Sequence, residues 1–376
     1  MSDTGYEIKG WCPGALRPMM SGDGLVVRVR PFGGRLRRAQ ADGIASLAAA
    51  HGNGFLDISS RGNIQIRGVA EARHGALIEG LRVMGLIDPT PEIESRRNII
   101  VTPFWNKGDD TEILTTALTQ ALALPDMPEL PGKFGFAVDA GANPVLQDAS
   151  ADIRLECDAG GGLILVADGM KRGKPVSLDT AVPEAIALAD WFSQYKGTAT
   201  RMKAVIAAGA EPVGHIVPRQ KGTFVPKPGY TPNGAIVGLA FGQMSVETLS
   251  TLAKHGSLRL TPWRLILVES ARILPVIEDV ITDPSDPLLR IIACTGAPRC
   301  AQALGETRKL GSTLAPHLAA HQTLHISGCT KGCAHPRSAP LTLTAQKGGF
   351  ALIKDGKAGD TPSVSGLSPD ELKDYI

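Results

Sequence analysis

The sequence predicts a duplicated α+β fold, in which each half of the chain is a small β-α-β unit followed by a larger α/β unit. Residues 23–34 are similar to residues 233–243, since each stretch is a turn followed by the alternating apolar residues of a β-strand. The pattern G-G-x-x-L-x-x-D-G occurs at 161–169 and again at 348–356. Both matches keep the same order along the chain, which indicates an internal repeat.

The elements after each first strand also correspond. A helix is predicted over 40–50 and another over 246–254, because apolar residues recur there at helical spacing. One further strand is predicted to close each small unit, over 54–66 in the first half and over 258–268 in the second.

Three prolines, Pro218, Pro226 and Pro228, mark a linker near residue 220. We therefore expect four units along the chain. They are the first small unit over 1–90, the first α/β unit over 91–220, the second small unit over 221–284 and the second α/β unit over 285–376.

The last unit is expected to contain two parallel strands. Apolar runs at 288–293 and 323–327 predict the strands, and residues 301–320 predict a crossover helix that Gly311 and Pro316 interrupt. The carboxyl ends of parallel strands meet at one edge of a sheet, where α/β proteins place their sites. Both predicted strands are followed closely by cysteines.

Four of the six cysteines lie in this unit, as C-x5-C and C-x3-C with 28 residues between the pairs. They are Cys294, Cys300, Cys329 and Cys333. Four thiolates around one centre suit a [4Fe–4S] cluster, and the neighbouring glycines can offer backbone N–H groups to its sulfurs. A structural zinc site and four unrelated buried cysteines stay open as alternatives, although zinc sites more often use other spacings.

The remaining metal-ligating side chains have simpler interpretations. Cys12 and Cys157 lie apart from the four and are expected to be small apolar residues. His325 lies on an apolar strand, which is typical of a core histidine with its hydrogen bonds satisfied. His335 follows the second cysteine pair and is a candidate hydrogen-bond or proton donor.

Composition limits the function classes. A net charge of +2 gives no general affinity for nucleic acid or for a membrane surface. No apolar run approaches the ~18–20 residues of a membrane helix, and the N-terminus has no signal pattern, so a cytoplasmic protein is expected. In that compartment grouped cysteines indicate metal or redox chemistry rather than disulfides.

These motifs resemble the sulfite/nitrite reductase superfamily, whose members bind a [4Fe–4S] cluster next to sirohaem. The resemblance covers about residues 10–356, and it implies a duplicated half made of a ferredoxin-like β-α-β unit and a larger α/β unit. Within the superfamily, several stretches are similar to the precorrin-3B synthase family of aerobic cobalamin biosynthesis. They are CPG at 12–14, PM at 18–19, GDGLVVR at 22–28, NIQIRG at 63–68, LPGKFGFAVD at 130–139 and HISGCTKGCAHP at 325–336.

The resemblance assigns candidate site residues. The four cysteines of the last unit match the cluster ligands. Five basic residues match positions that face the macrocycle, its carboxylates or the reacting group. They are Arg28 and Arg30 on the first strand, Arg61 in a turn, and Arg97 and Lys133 as catalytic candidates. Arginine suits this role because its planar fork pairs with a carboxylate through two hydrogen bonds.

Gly135 departs from the reductase pattern. It stands where the reductases have the second lysine of a K-F-K motif that begins here at Lys133. Losing one cationic donor beside developing negative charge typically costs roughly 3 kcal/mol of transition-state stabilisation. The departure therefore disfavours reduction of sulfite or nitrite and leaves space for a bulkier substrate.

The resemblance implies a monooxygenase that hydroxylates precorrin-3A with O2 while closing a lactone. It also implies that electrons come from NAD(P)H through a separate reductase. Sirohaem derives from the same early precorrins, so we expect the substrate to take the place of sirohaem; a separate non-haem iron is one way to activate O2, with no residues assigned to it. The alternatives are a sirohaem-dependent sulfite or nitrite reductase and a zinc-stapled scaffold protein.

Overall fold

This computed structural model describes residues 13–222, 224–273 and 276–376, so Cys12 lies outside the described residues. The first unit is an antiparallel sheet with helices on one face. Its elements are β1 (Met19–Ser21), β2 (Gly24–Val29), β3 (Arg35–Leu36), α1 (Arg38–His51), β4 (Phe55–Ile58), β5 (Ile64–Val69) and α2 (Glu71–Val83). Both β2 and β4 pair with β5, and alternate apolar side chains of these strands pack against the helices.

The second unit is a six-stranded mixed sheet in the order β11-β10-β9-β8-β7-β6. Its elements are α3 (Pro91–Arg96), β6 (Ile99–Val101), α4 (Asp110–Leu122), β7 (Phe136–Asp139), β8 (Ile153–Cys157), β9 (Leu163–Ala167), β10 (Arg172–Pro175), α5 (Leu178–Tyr195), α6 (Met202–Ala207) and β11 (Val217–Pro218). Helix α4 begins after Asp109, whose carboxylate accepts the Glu112 N–H at 3.0 Å and so caps an otherwise unpaired donor.

The second half repeats this plan. Its small unit contains β12 (Gly229–Thr231), β13 (Gly234–Leu239), β14 (Gln243–Ser245), α7 (Val246–His255), β15 (Leu258–Leu260), β16 (Leu265–Glu269) and β17 (Val280–Ile281). Its α/β unit contains β18 (Ile291–Ala293), α8 (Arg308–Leu314), β19 (Leu324–Ser327), β20 (Ala339–Gln346), β21 (Gly349–Gly356) and β22 (Val364–Leu367).

The directions of the strands confirm the duplication. In the first α/β unit, β6, β7 and β8 are parallel, and β9 and β10 then reverse direction. In the second, β18, β19 and β20 are parallel, and β21 and β22 reverse in the same way. The predicted duplicated α+β fold is therefore correct, while the exact domain boundaries stay a prediction.

The two small units exchange one strand each. Strand β14 of the second half pairs with β4 of the first, and β3 of the first half pairs with β15 of the second. Helices α1 and α7 pack against one continuous apolar core that spans both sheets. Glu269 of β16 accepts hydrogen bonds from Arg35 of β3 at 2.7 Å and from Arg259 of β15 at 2.6 Å. These bonds link the exchanged strand β3 to the sheet of the second half.

Each single closing strand predicted from the sequence is in fact a hairpin. The stretch 54–66 forms β4 and β5, and 258–268 forms β15 and β16. The turns between them, five residues long in the first hairpin and four in the second, have the same hydrogen-bond pattern. The Ser59 hydroxyl accepts the N–H groups of residues 61 and 63, and the Thr261 hydroxyl accepts those of residues 263 and 265, at 3.2–3.3 Å.

The crossover helix predicted over 301–320 is shorter in the structure. Only Arg308–Leu314 is α-helical, followed by a 3₁₀ turn at Ala315–His317. The chain before it bonds to the cysteine loops instead, since Leu304 N–H donates to Gly328 O at 2.8 Å. Pro316 then prevents the helix from continuing. None of the helices in the described ranges combines the length and apolar character needed to cross a lipid bilayer.

Candidate iron–sulfur and tetrapyrrole site

Two loops bring the four cysteines to one edge of the last sheet, as predicted for parallel strands. Cys294 directly follows β18, and its N–H donates to Ile326 O of β19 at 3.2 Å, which extends the parallel ladder by one bond. The Gly328 N–H donates to the Cys294 sulfur at 3.2 Å. The loop after β18 therefore touches the loop after β19, which contains Cys329 and Cys333.

The four thiols influence one another electrostatically. Burial raises the pKa of Cys329 and of Cys333, and the neighbouring Cys294 and Cys300 raise both further. Thiolates so arranged repel each other unless a metal group shares their charge, and binding such a group releases their protons. The donor set is all sulfur, which fits an iron–sulfur cluster.

A single metal ion fits this arrangement less well. Across 13–222, 224–273 and 276–376, no three His, Cys, Asp or Glu side chains converge as ligands of one ion. A [4Fe–4S] cluster places one thiolate on each of four irons, so its ligands need not meet at a point. Gly296 and Gly332, with φ of 71° and 64°, let the two loops turn tightly beside the cysteines.

His325 supports the presence of a polar group near these loops. It is fully buried, as predicted, but neither ring nitrogen has a hydrogen-bond partner among the described residues. The prediction of a satisfied core histidine is therefore wrong. Burial, together with His335 and Arg264, lowers the pKa of His325 to about 4, so the ring is neutral and has one N–H to donate. A Cβ added to Gly332 would lie 3.8 Å from its Cε1 atom.

The loop between Cys294 and Cys300 also rests on the first half of the chain. The Ser21 hydroxyl donates to Arg299 O at 2.8 Å, and Arg67 donates to the same oxygen at 3.3 Å. A Cβ on Gly22 would meet Pro298 O at 2.8 Å, so only glycine allows this approach. The site is thus built by both halves.

Arg264 reaches the site from the turn between β15 and β16. Its Nη2 atom lies 3.5 Å from Ala334 O, next to Cys333. Burial, with help from the like charge of Arg308, lowers the pKa of Arg264 to about 10, while Asp57 and Cys294 oppose this shift. Arg308 at the start of α8 forms an ion pair with Asp57 at 2.8 Å.

Two of the predicted arginines are fixed inside the protein. Arg97 forms a double hydrogen bond with Asp88 at 2.7 and 2.8 Å, and its guanidinium lies 3.9 Å from the centre of the Phe32 ring. It also donates to Arg30 O at 2.9 Å. Arg30 in turn donates to Glu94 O. Both side chains are 5% exposed, so they pack inside the protein next to the end of β2 and do not face solvent.

The other predicted basic residues are more accessible. Arg28 is half-buried on β2 and donates to Gln65 Oε1 at 2.7 Å. Arg61 lies 3.4 Å from Lys133 O and 3.2 Å from the Ser150 hydroxyl. Lys133 is exposed. The Arg61 guanidinium therefore contacts the main chain of Lys133, whereas Arg97 is held by a carboxylate of its own.

Gly135 is buried where a side chain has no room. A Cβ at this position would lie 2.6 Å from Asn98 Nδ2 and 3.0 Å from Asn98 O. The Gly135 N–H donates to Asp152 at 3.0 Å, which fixes the backbone. The expectation that glycine here leaves space for a bulkier substrate is therefore wrong, because Asn98 fills that space.

Cys157 takes no part in the site. Its thiol lies at the end of β8 in the first half and donates to Ala140 O at 3.4 Å. Burial raises its pKa, so it is an unreactive thiol. This agrees with the prediction of a small apolar residue.

Sequence reasoning missed Arg264, Arg308 and Asp57. Each lies on a different unit, and only the assembled fold brings them together beside Cys294. A signal was present for Arg264, since the turn 261–265 aligns with 59–63, where glycine occupies the same position.

Comparisons with known proteins agree with this structure. A family model described as the nitrite/sulfite reductase ferredoxin-like half domain matches residues 17–84. A protein from Sinorhizobium named precorrin-3B synthase is 29% identical over 396 residues, covering 95% of this chain and 85% of that protein. The ferredoxin–nitrite reductase of Synechococcus elongatus is 24% identical over 455 residues, covering 100% of this chain and 88% of that protein.

The fold has a counterpart among solved structures. The Mycobacterium tuberculosis NirA protein superposes with a TM-score of 0.66 at 20% identity, covering 93% of this chain and 79% of that one. The half-domain match, the relatives aligned along the whole chain and the shared duplicated fold lead to one conclusion. The chain is an oxidoreductase that contains a nitrite/sulfite reductase ferredoxin-like half domain at residues 17–84 and shares the duplicated fold of NirA.

Proposed function

We propose that this oxidoreductase is a precorrin-3B synthase, an O2-dependent monooxygenase that hydroxylates precorrin-3A and closes a lactone during aerobic cobalamin biosynthesis. The observation that supports this most directly is similarity to a protein named precorrin-3B synthase along 95% of the chain. One atom of O2 enters the substrate and the other leaves as water, with electrons and protons supplied from outside.

Cys294, Cys300, Cys329 and Cys333 would hold a [4Fe–4S] cluster. When bound, the cluster supplies single electrons to the neighbouring pocket. Gly328 N–H, already 3.2 Å from the Cys294 sulfur, stabilises that thiolate. His325 contributes a buried N–H that has no other acceptor among the described residues.

The accessible basic residues would bind the substrate. Precorrins bear many carboxylates, and Arg28, Arg61 and Lys133 offer fixed positive charge for them. Arg30 and Arg97 are buried next to β2, so we assign them a structural role: they hold β2, and with it Arg28, in position. Lys133 is exposed and can also deliver a proton to a nearby oxygen, which gives it the strongest catalytic claim of the five.

The remaining components come from the resemblance to precorrin-3B synthases. Electrons would derive from NAD(P)H and arrive through a separate reductase, in the cytoplasm. The resemblance does not say where O2 is activated; an additional non-haem iron is one way to do so, and we assign it no ligands. The precorrin would occupy the pocket that sirohaem fills in the reductases.

A sirohaem-dependent sulfite or nitrite reductase is the second candidate. It is favoured by the similarity to a ferredoxin–nitrite reductase along the entire chain. Gly135 counts against it, because the second cation of the K-F-K motif is absent and Asn98 fills the space beside it.

Anaerobically purified protein, loaded with iron and sulfide, should be incubated with precorrin-3A, a reductant and ¹⁸O2. We expect a product that contains one ¹⁸O atom, detected by mass spectrometry, and no sirohaem in an acid extract. Sirohaem in the extract, with nitrite or sulfite turnover and no labelled product, would instead establish the reductase.

A further inference from the structure

Arg264 has an unusual backbone for its residue type. Its φ of 63° lies in the left-handed region, where a side chain with a Cβ is disfavoured. In the equivalent turn of the first half, the same position is Gly62 with φ of 64°. Strained non-glycine residues cluster at functional sites, and the strain persists only where the surrounding structure holds the residue in that conformation.

The side chain of Arg264 extends from the turn between β15 and β16 towards the cysteine loops. Its stem packs over Gly242, since a Cβ added there would lie 3.0 Å from Arg264 Cγ and 3.1 Å from Ile58 O. Its guanidinium ends 3.5 Å from Ala334 O, beside Cys333, and close enough to interact with Cys294. It thus contacts the loop that contains the second pair of cysteines.

The charges around Arg264 do not balance. Arg308 pairs with Asp57 at 2.8 Å, and Arg67 pairs with Asp23 at 2.9 Å. These two ion pairs use both carboxylates. Three arginines therefore share two carboxylates, and Arg264 is the one whose charge is not matched. A buried excess cation is unfavourable unless an anion lies nearby. A thiolate-bound [4Fe–4S] cluster has net negative charge and would supply it.

We infer that Arg264 is the counter-cation of the four-cysteine site, where it stabilises the reduced, more negative state of the bound cluster. It acts through the cluster and is therefore a positioning residue. The inference rests on the cluster proposed above. It adds that Arg264 raises the reduction potential of that cluster.

The test uses Arg264→Gly, which removes the guanidinium and suits the left-handed backbone. The loaded protein should be titrated with dithionite and mediators while the EPR signal of the reduced cluster is recorded. We expect reduction to become at least tenfold less favourable, which is 59 mV for a one-electron couple. Arg264→Lys retains the charge and should shift the potential less.

Two controls separate this effect from a general one. Thermal unfolding of Arg264→Gly should occur at or above the temperature of the original protein, because the strain is removed. Arg172→Gln removes one exposed arginine in the first half and should leave the potential unchanged.

An unchanged potential in Arg264→Gly at equal iron and sulfide content would overturn the inference. If that variant also bound uroporphyrin III more weakly in a fluorescence titration, the charge would serve a carboxylate of the macrocycle instead. Failure of the proposed function has a separate readout, since a protein with a normal cluster that does not oxygenate precorrin-3A would leave the potential measurement valid. Absence of iron and sulfide in the original protein would remove both proposals.

Discussion

Gly62 and Arg264 are each the fourth residue of two equivalent β-hairpin turns, and both have a left-handed backbone, with φ of 64° and 63°. The two turns also touch, since a Cβ on Gly62 would lie 3.1 Å from Leu260 O. The first half therefore meets the backbone requirement with glycine, whereas the second half places a long cation there.

Gly62→Ala should lower the free energy of unfolding by about 1–2 kcal/mol, because the new Cβ meets both an unfavourable φ and the Leu260 oxygen. Urea denaturation followed by circular dichroism measures this. Gly54→Ala is the matched control, since its φ is 79° but nothing lies within 4 Å of the added Cβ. Gly54→Ala should lower the free energy of unfolding by less than Gly62→Ala does. Equal decreases would mean that the contact with Leu260 has no effect.

Serine substitutions at the four clustered cysteines should abolish cluster binding. Cys294→Ser and Cys329→Ser each remove one thiolate, so we expect a large loss of iron and acid-labile sulfide after anaerobic purification. Cys157→Ser is the control, because that thiol lies in the other half and bonds only to a backbone oxygen among the described residues. Normal iron content in the first two variants would contradict the assignment.

Replacing Gly135 should destabilise the fold rather than restore a reductase. The Cβ of Gly135→Ala would lie 2.6 Å from Asn98 Nδ2, so we expect a loss of about 1–3 kcal/mol in urea denaturation. Gly135→Lys should gain no nitrite reduction with reduced viologen. The double variant Gly135→Ala with Asn98→Ala has no clash. Its loss of unfolding free energy should therefore be smaller than the sum of the losses of the two single variants. Strict additivity would show that the two positions do not collide.

Asp139 should make stability depend on pH. It lies at the end of β7 and accepts the N–H groups of Val145 and Leu146 at 2.6 and 2.7 Å. Burial, which outweighs these bonds, raises the pKa of Asp139 to about 6. Its stabilising contribution is thus complete below its unfolded pKa of about 4 and disappears as pH rises through about 6, a change of roughly 3 kcal/mol.

Asp139→Asn cannot ionise, so its stability should fall less than that of the original protein between pH 4.5 and 7.5. Urea denaturation at the two pH values gives the difference. The exposed Asp148→Asn is the control and should follow the original profile. Parallel profiles for Asp139→Asn and the original protein would show that burial does not disfavour this carboxylate.

The sequence predicted those features that local patterns encode. The repeat is visible because strand alternation and turn residues recur in the same order, and the convergence of the cysteines follows from two parallel strands. The predicted helices over 40–50 and 246–254 are α1 and α7 with slightly wider limits.

The features that were missed depend on tertiary contacts. The two hairpins are an exception, because the polar stretch SSRGN at 59–63 and the proline at 262 are turn signals that should have divided each predicted strand. Arg97 pairs with Asp88 across the short helix α3, and motif matching alone says nothing of such a partner. Arg264 reaches the cysteines only after the second small unit has folded against the last sheet.

The exchange of β3 and β14 has a consequence for how such a protein arose. A chain with only one half would leave the edge of its small sheet unpaired, and the matching strand would be available only from a second copy. A single-copy ancestor would therefore have existed as a symmetric pair of subunits. Two copies within one chain keep both strand pairings intramolecular, so the four grouped cysteines can lie in one half while the other half completes its sheet.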